Sequence, residues 1–254
     1  MVPVVAFAVL AVLSRKDPST PVEIGTAMQV VDTSRAALRT TEDVTYEDAD
    51  LELVAAYVIA DGAFVDAAVP VEHSSAWDVA ARVLPASELA HIRQLNVVTD
   101  GPAGTLAMVH RSGIALDQWV LSIDTAEPTS VLEETIVHEL AHLLTLRSTD
   151  LATTGPCDGV QLEIGCAKPG TPLAQWAERF WTDPTSSMTH DPDVHVSTYA
   201  ATSVHEDFAE TFLAYVTGSY TGDSPTIRAK LAFFDTQPEL AAAAQEVRPR
   251  VNVD

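Results

Sequence analysis

The sequence predicts an α+β domain. Few of its patterned segments read as strands, many read as helices, and the two do not alternate as β-α-β units. With 254 residues, 47% of them hydrophobic and 20% charged, the chain has the composition of a folded globular protein, not a disordered one.

The chain opens MVPVVAFAVLAVLSRKDPSTP. Its apolar run, about 12 residues from Val2 to Leu13, reaches only ~18 Å as helix, short of a ~30 Å hydrocarbon core. That length suits the apolar core of an export signal or a short membrane anchor, although Arg15 and Lys16 follow the run instead of leading it. A buried strand or helix is the plainer alternative. Residues 14 to 45 are polar, lack sustained periodicity and read as a linker or loosely held arm. The expected division is therefore an export signal or anchor plus linker over 1–45, and one folded domain over 46–254.

Patterned segments follow at short intervals from about residue 46. AWDVAARVL and ASELAHIRQL read as helices separated by Pro85. NVVTD, TLAMVHR and ALDQWVLSID read as short strands, with DGPAG as a turn. A long helix is expected from near Ser130, where Ser130 and Glu133 form a capping-box pattern. TPLAQWAERFW is amphipathic, with Leu173, Trp176, Ala177 and Phe180 on one face. After the polar stretch TDPTSSMTHDPDV, the segment STYAATSVHEDFAETFLAYVTG reads as loop, then a helix stopped by Gly218. SPTIRAKLAFF and QPELAAAAQEV finish the chain as helices with Pro in the first turn.

Charge excludes one class of function. The net charge is −22 and the only lysines are Lys16, Lys168 and Lys230, so no basic stripe exists to meet nucleic acid. Such a surface suits a salty or extracellular setting. The two cysteines, Cys157 and Cys166, stand nine apart in the loop-like PCDGVQLEIGC, a spacing that suits a local disulfide and an oxidising compartment. Two free thiols are the alternative; a zinc site lacks the second Cys or His pair it needs.

The chemistry sits in TIVHELAHLLT. His138 and His142 project from one helix face a turn apart, while Ile136, Leu140, Leu143 and Leu144 fall largely on the other. Two imidazoles so spaced can chelate one zinc ion, and Glu139 then stands beside the metal as a proton acceptor, the H-E-x-x-H arrangement. A catalytic zinc takes three protein ligands. The extended pattern with a third histidine fails, because Thr145 and Ser148 occupy its Gly and His positions. In SVHEDFAETF, Glu206 and Glu210 share a face: one carboxylate suits the metal and the other a ligand histidine's second nitrogen. Ser203 with Glu206 is also a capping box, which needs no metal. Spacing alone leaves the third ligand open among Glu206, Glu210, His190, His195 and His205.

HELAH followed downstream by Tyr-x6-Glu-x3-Glu in YAATSVHEDFAE resembles the gluzincin metallopeptidases. The likeness is to the anthrax-lethal-factor and Pro-Pro endopeptidase branch and to secreted bacterial zinc-binding metallopeptidases, whose intermotif segment GCAKPGTPLAQWAERFW also resembles. It covers roughly residues 75–220. The resemblance implies a zincin-like domain: a small mostly antiparallel sheet, an active-site helix and a second helix bearing a glutamate ligand. It implies one zinc per chain held by His138, His142 and Glu206, with Glu139 as general base, Tyr199 facing the reacting carbonyl and Glu210 behind a ligand histidine. One departure is the absence of glycine before the second histidine.

Two functions are compatible with these residues. One is a secreted or extracellular zinc endopeptidase acting on a peptide or protein, with membrane association through the N-terminus if that segment is kept. The other is a non-catalytic secreted or surface-associated binding module with a structural or relic zinc site. An intact Glu139 and Tyr199 favour the enzyme, since a structural site needs neither. No motif bears on oligomeric state.

Overall fold

A short hairpin starts the described part of the domain. In the computed structural model, the described residues are 40–46, 51–65, 68–100, 106–126 and 129–251. The apolar N-terminal run and the DGPAG turn after Asp100 lie outside them. Strand β1 (Glu52–Ala60) turns through Asp61 and Gly62, both at positive φ, into β2 (Ala63–Phe64). An Asp-Gly pair accepts the left-handed conformations that a two-residue hairpin demands.

Helix α1 (Val71–Val83) and the single turn α2 (Ala86–Leu89) follow, then β3 (Ile92–Thr99), β4 (Ala107–Arg111) and β5 (Trp119–Asp124). The sheet order is β2-β1-β3-β5-β4, antiparallel except for β3 against β5. Two expectations change here. The helix predicted over ASELAHIRQL keeps one turn, and IRQL joins β3, because Leu95 and Val97 are needed on the core face of a strand paired on both sides. No element was expected where β1 lies.

Helix α3 (Thr129–Thr145) shares one core with the sheet, its Ile136, Val137, Leu140 and Ala141 lying in the same cluster as Leu95, Val97, Leu121 and Ile123. It opens at Thr129, close to the expected start, and Glu133 binds Arg82 of α1 at 2.5 Å. The cysteine segment, expected as a loop, forms a three-stranded sheet of β6 (Leu151–Ala152), β7 (Val160–Leu162) and β8 (Gly165–Ala167). Cys157 and Cys166 are disulfide-bonded across it.

The remaining helices are α4 (Pro172–Phe180), α5 (Val204–Thr217), α6 (Pro225–Asp235) and α7 (Pro238–Val247). Their ends follow the sequence. Thr171, Ser203 and Ser224 cap α4, α5 and α6, proline opens α4, α6 and α7, and left-handed Gly218 closes α5. The architecture is α+β, with seven α-helices among the described residues. No helix among them is long and apolar enough to cross a membrane.

Two buried polar layers hold these parts together. On the outer sheet face, Gln94 Nε2 donates to Glu42 O (2.8 Å), Arg93 Nη1 pairs with Glu42 (2.8 Å), and Asn96 Nδ2 donates to Tyr46 OH (2.8 Å). The end of the supposed loose arm, 40–45, together with Tyr46, is thus fastened to β3. In the helical half, the Asp207 carboxylate accepts from Trp176 Nε1 (3.0 Å), Trp181 Nε1 (2.8 Å) and Lys230 Nζ (2.7 Å).

Both layers make testable demands. Lys230→Met leaves a fully buried carboxylate without its counter-charge and is expected to lower unfolding free energy in urea by about 3–5 kcal/mol; a loss under about 1 kcal/mol contradicts this account. Beside the first layer, His110 of β4 sets its ring 5.6 Å from that of Tyr46, and burial pushes its pKa down to about 4 from 6.5. The unfolded chain therefore takes up this proton from about pH 6.5 while the native chain refuses it until about pH 4. Stability falls as pH drops through that window, by up to about 3 kcal/mol, and pH-dependent denaturation of His110→Gln is expected to lack this component.

Candidate metal centre

The site forms where α3 crosses the first turn of α5. On α3, His138 and His142 lie a turn apart with ring centroids 4.9 Å apart. Ser203 caps α5 by accepting the Glu206 amide (3.3 Å), as its sequence pattern suggests. The Glu206 carboxylate turns towards α3: its Oε2 lies 2.9 Å from His138 Nε2 and 3.4 Å from His142 Nε2, and the two Nε2 atoms are 3.1 Å apart. Glu206 therefore caps through its backbone and faces the histidines through its side chain.

The donor atoms of this trio converge in a way that suits a cation. Glu210 Oε1 accepts from His138 Nδ1 at 2.8 Å, which fixes the tautomer and leaves a lone pair on Nε2 of the neutral ring. That lone pair faces a carboxylate oxygen and a second imidazole nitrogen. All three donor atoms lie within 4.8 Å of one another and all three residues are buried, so His138, His142 and Glu206 could hold a metal ion. Among the described residues, Glu206 Oε1 has no hydrogen-bond partner. Burial opposes charge on His138, but Glu206 and Glu210 outweigh it and hold its pKa well above the histidine value, so a proton takes the Nε2 position that a metal ion would displace it from. Burial likewise opposes charge on Glu206, but His142 and His138 hold it well below the carboxylate range. The pocket thus attracts positive charge.

Glu139 sits beside the trio without joining it. Its Oε2 accepts the backbone N–H of Val109 on β4 at 2.9 Å. Burial is the main force raising its pKa, with Glu206 adding to it, against the pull of His142 and His138. A carboxylate so placed is a better proton acceptor than one in water. Tyr199 lies on a 3-10 turn, Tyr199–Ala201, with its ring 5.9 Å from that of His138. Burial first, then the Glu206 and Glu139 charges, push its pKa far up, so the phenol stays neutral and able to donate.

The remaining histidines fall outside the trio. His205 is adjacent, with Nε2 3.4 Å from Glu206 Oε1, and burial lowers its pKa to about 4. His190 and His195 stack near each other, with centroids 6.2 Å apart, and His195 faces Trp181. Strand β5, just ahead of the metal-site helix, offers no edge for pairing, because it lies between β3 and β4. The outer strand is β4. Asp124 N–H donates to Leu106 O (2.9 Å) and Ser112 N–H to Gln118 O (2.7 Å), so the backbone groups of Ala107, Val109 and Arg111 turn away from β5. Arg111 bonds Leu146 O, and Asp117 takes the Ser148 N–H (2.7 Å), tying this hairpin to the end of α3.

Two contributors carry no signal in the sequence: the Val109 amide, a backbone group, and Ser197, whose hydroxyl bonds Glu210. No protein-family model matches the chain, and comparisons with curated proteins and with solved structures give no significant match.

Elemental analysis tests the trio. About one equivalent of divalent metal per wild-type chain is expected, lost in both His138→Ala and Glu206→Ala. Full metal content in Glu206→Ala would move the third ligand elsewhere.

Proposed function

We propose that this chain is a zinc-dependent endopeptidase of gluzincin type, acting on peptide or protein outside the cell. The observation that carries the reading is Glu139: a buried carboxylate next to three convergent metal-ligating atoms, held by an amide, with a raised pKa. Two imidazoles and one carboxylate are a donor set zinc favours when a fourth position is left for water or substrate. His138, His142 and Glu206 would hold the ion, with Glu210 orienting His138. A bound zinc supplies Lewis acidity, acidifying water and polarising a carbonyl.

The protein groups divide the rest of the work. Glu139 accepts the proton of the attacking water and returns it to the leaving amine. The neutral phenol of Tyr199 donates to the oxyanion that develops on the scissile carbonyl. The outward C=O and N–H groups of Ala107 and Arg111 on β4 offer backbone pairing to an extended peptide. The Cys157–Cys166 bond supports an oxidising, extracytoplasmic setting, as does the acidic surface.

The close burial of all three ligands also suits a structural zinc in a non-catalytic binding module. Glu139→Gln separates the two. On a peptide library read by mass spectrometry, the enzyme reading expects cleavage by wild type, loss with a chelator, and a fall of about 10²–10⁴-fold in Glu139→Gln with metal content retained. Undiminished cleavage by that variant ends the proposal, and metal binding without cleavage by wild type favours the binding module.

A further inference from the structure

Ser197 stands two residues before Tyr199, half-buried, at the meeting of three features of the site. Its Oγ lies 2.5 Å from Glu210 Oε2 and 3.0 Å from the backbone N of Ala200, while Glu210 Oε1 takes the Nδ1 hydrogen of His138 at 2.8 Å. The directions are forced. An amide N–H only donates, so Ser197 accepts from Ala200 and has its one hydroxyl hydrogen left for the carboxylate. A hydroxyl bound to a carboxylate makes a short, charge-assisted bond, stronger than a neutral one. Glu210 is then held at both oxygens, by an imidazole on one side and an alcohol on the other.

We propose that Ser197 is a positioning residue for the metal centre: it locks the rotamer of Glu210, which sets the ring plane and tautomer of His138. The same hydroxyl, through Ala200, ties the turn bearing Tyr199 to that carboxylate, so ligand and phenol share one reference point. This inference rests on the zinc reading above. Removing the hydroxyl leaves Glu210 bonded to His138 but free to rotate, and the ligand ring loses its restraint.

The test is zinc affinity of the full-length chain, measured by competition with a chromophoric chelator. Ser197→Ala is expected to bind zinc about 10-fold more weakly than wild type, as loss of an outer partner to a ligand histidine does. Ser197→Thr, which keeps the hydroxyl, is expected to restore wild-type affinity. Ser197→Ala combined with Glu210→Ala is expected to bind no more weakly than Glu210→Ala alone, because the serine acts through that carboxylate. Wild-type affinity in Ser197→Ala, or losses that add in the double variant, overturns the proposal. Should Ser197→Ala not fold, Ser197→Cys replaces it, since a thiol of similar size is a weak donor and is expected to show the same deficit. A wild-type chain that takes up no zinc is a separate result, which removes the metal reading itself.

Discussion

The helical half of the domain depends on a buried charge. Asp207 is fully enclosed, and its carboxylate is satisfied by two indole N–H groups and the Lys230 ammonium. Lys230 also reaches Val194 O at 2.8 Å, so one node joins α4, α5, α6 and the segment leading to Tyr199. Burying a charge is costly unless it is paired and hydrogen-bonded, and here the partners come from α4 with its C-cap and from α6. Asp207 follows Glu206 on α5, and neighbouring helix positions point about 100° apart. Fixing one side chain against the tryptophans and lysine therefore aims the other at α3.

On α3 the polar face gets the complementary treatment. His138 is approached by two carboxylates, Glu206 at Nε2 and Glu210 at Nδ1, and the two perform different work because they meet different nitrogens. The nitrogen facing Glu210 carries a hydrogen; the one facing Glu206 is the position that a proton or a metal ion would occupy. One turn of α5 separates the acids, which is the spacing that lets a single imidazole be gripped from both ends. The sheet adds its share through the Val109 amide, so Glu139 is oriented by a strand while its neighbours are oriented by a helix.

How much of this was legible follows from how local each signal is. The HELAH helix, the Ser203 cap, the Gly218 stop and the proline starts are short-range patterns, and all stand where the sequence put them. The trio His138, His142 and Glu206 was legible as a set of ligand types; that these side chains converge depends on tertiary packing, which spacing could not decide against His190, His195 or His205. IRQL was misread because a strand buried on both faces loses the alternation that marks an amphipathic one. Strand β1 was missed for a related reason, its exposure changing along its length instead of alternating. The 40–46 segment looked unstructured because its partners, Gln94 and Asn96, are polar residues that sequence reasoning assigns to the surface. Ser197 is one serine among many until folding brings Glu210 to it.

The strap at 40–46 has a mechanical consequence. Arg93 Nη2 grips Thr40 O at 2.7 Å, and the Glu42 carboxylate holds both Arg93 and, at 2.8 Å, the amide of Gly113. Gly113 lies in the bend between β4 and β5, the same hairpin whose outer strand touches Glu139. Tension applied at Thr40 would meet this clasp first, before any load reached the helices. The strap and the strand that touches Glu139 share an anchor.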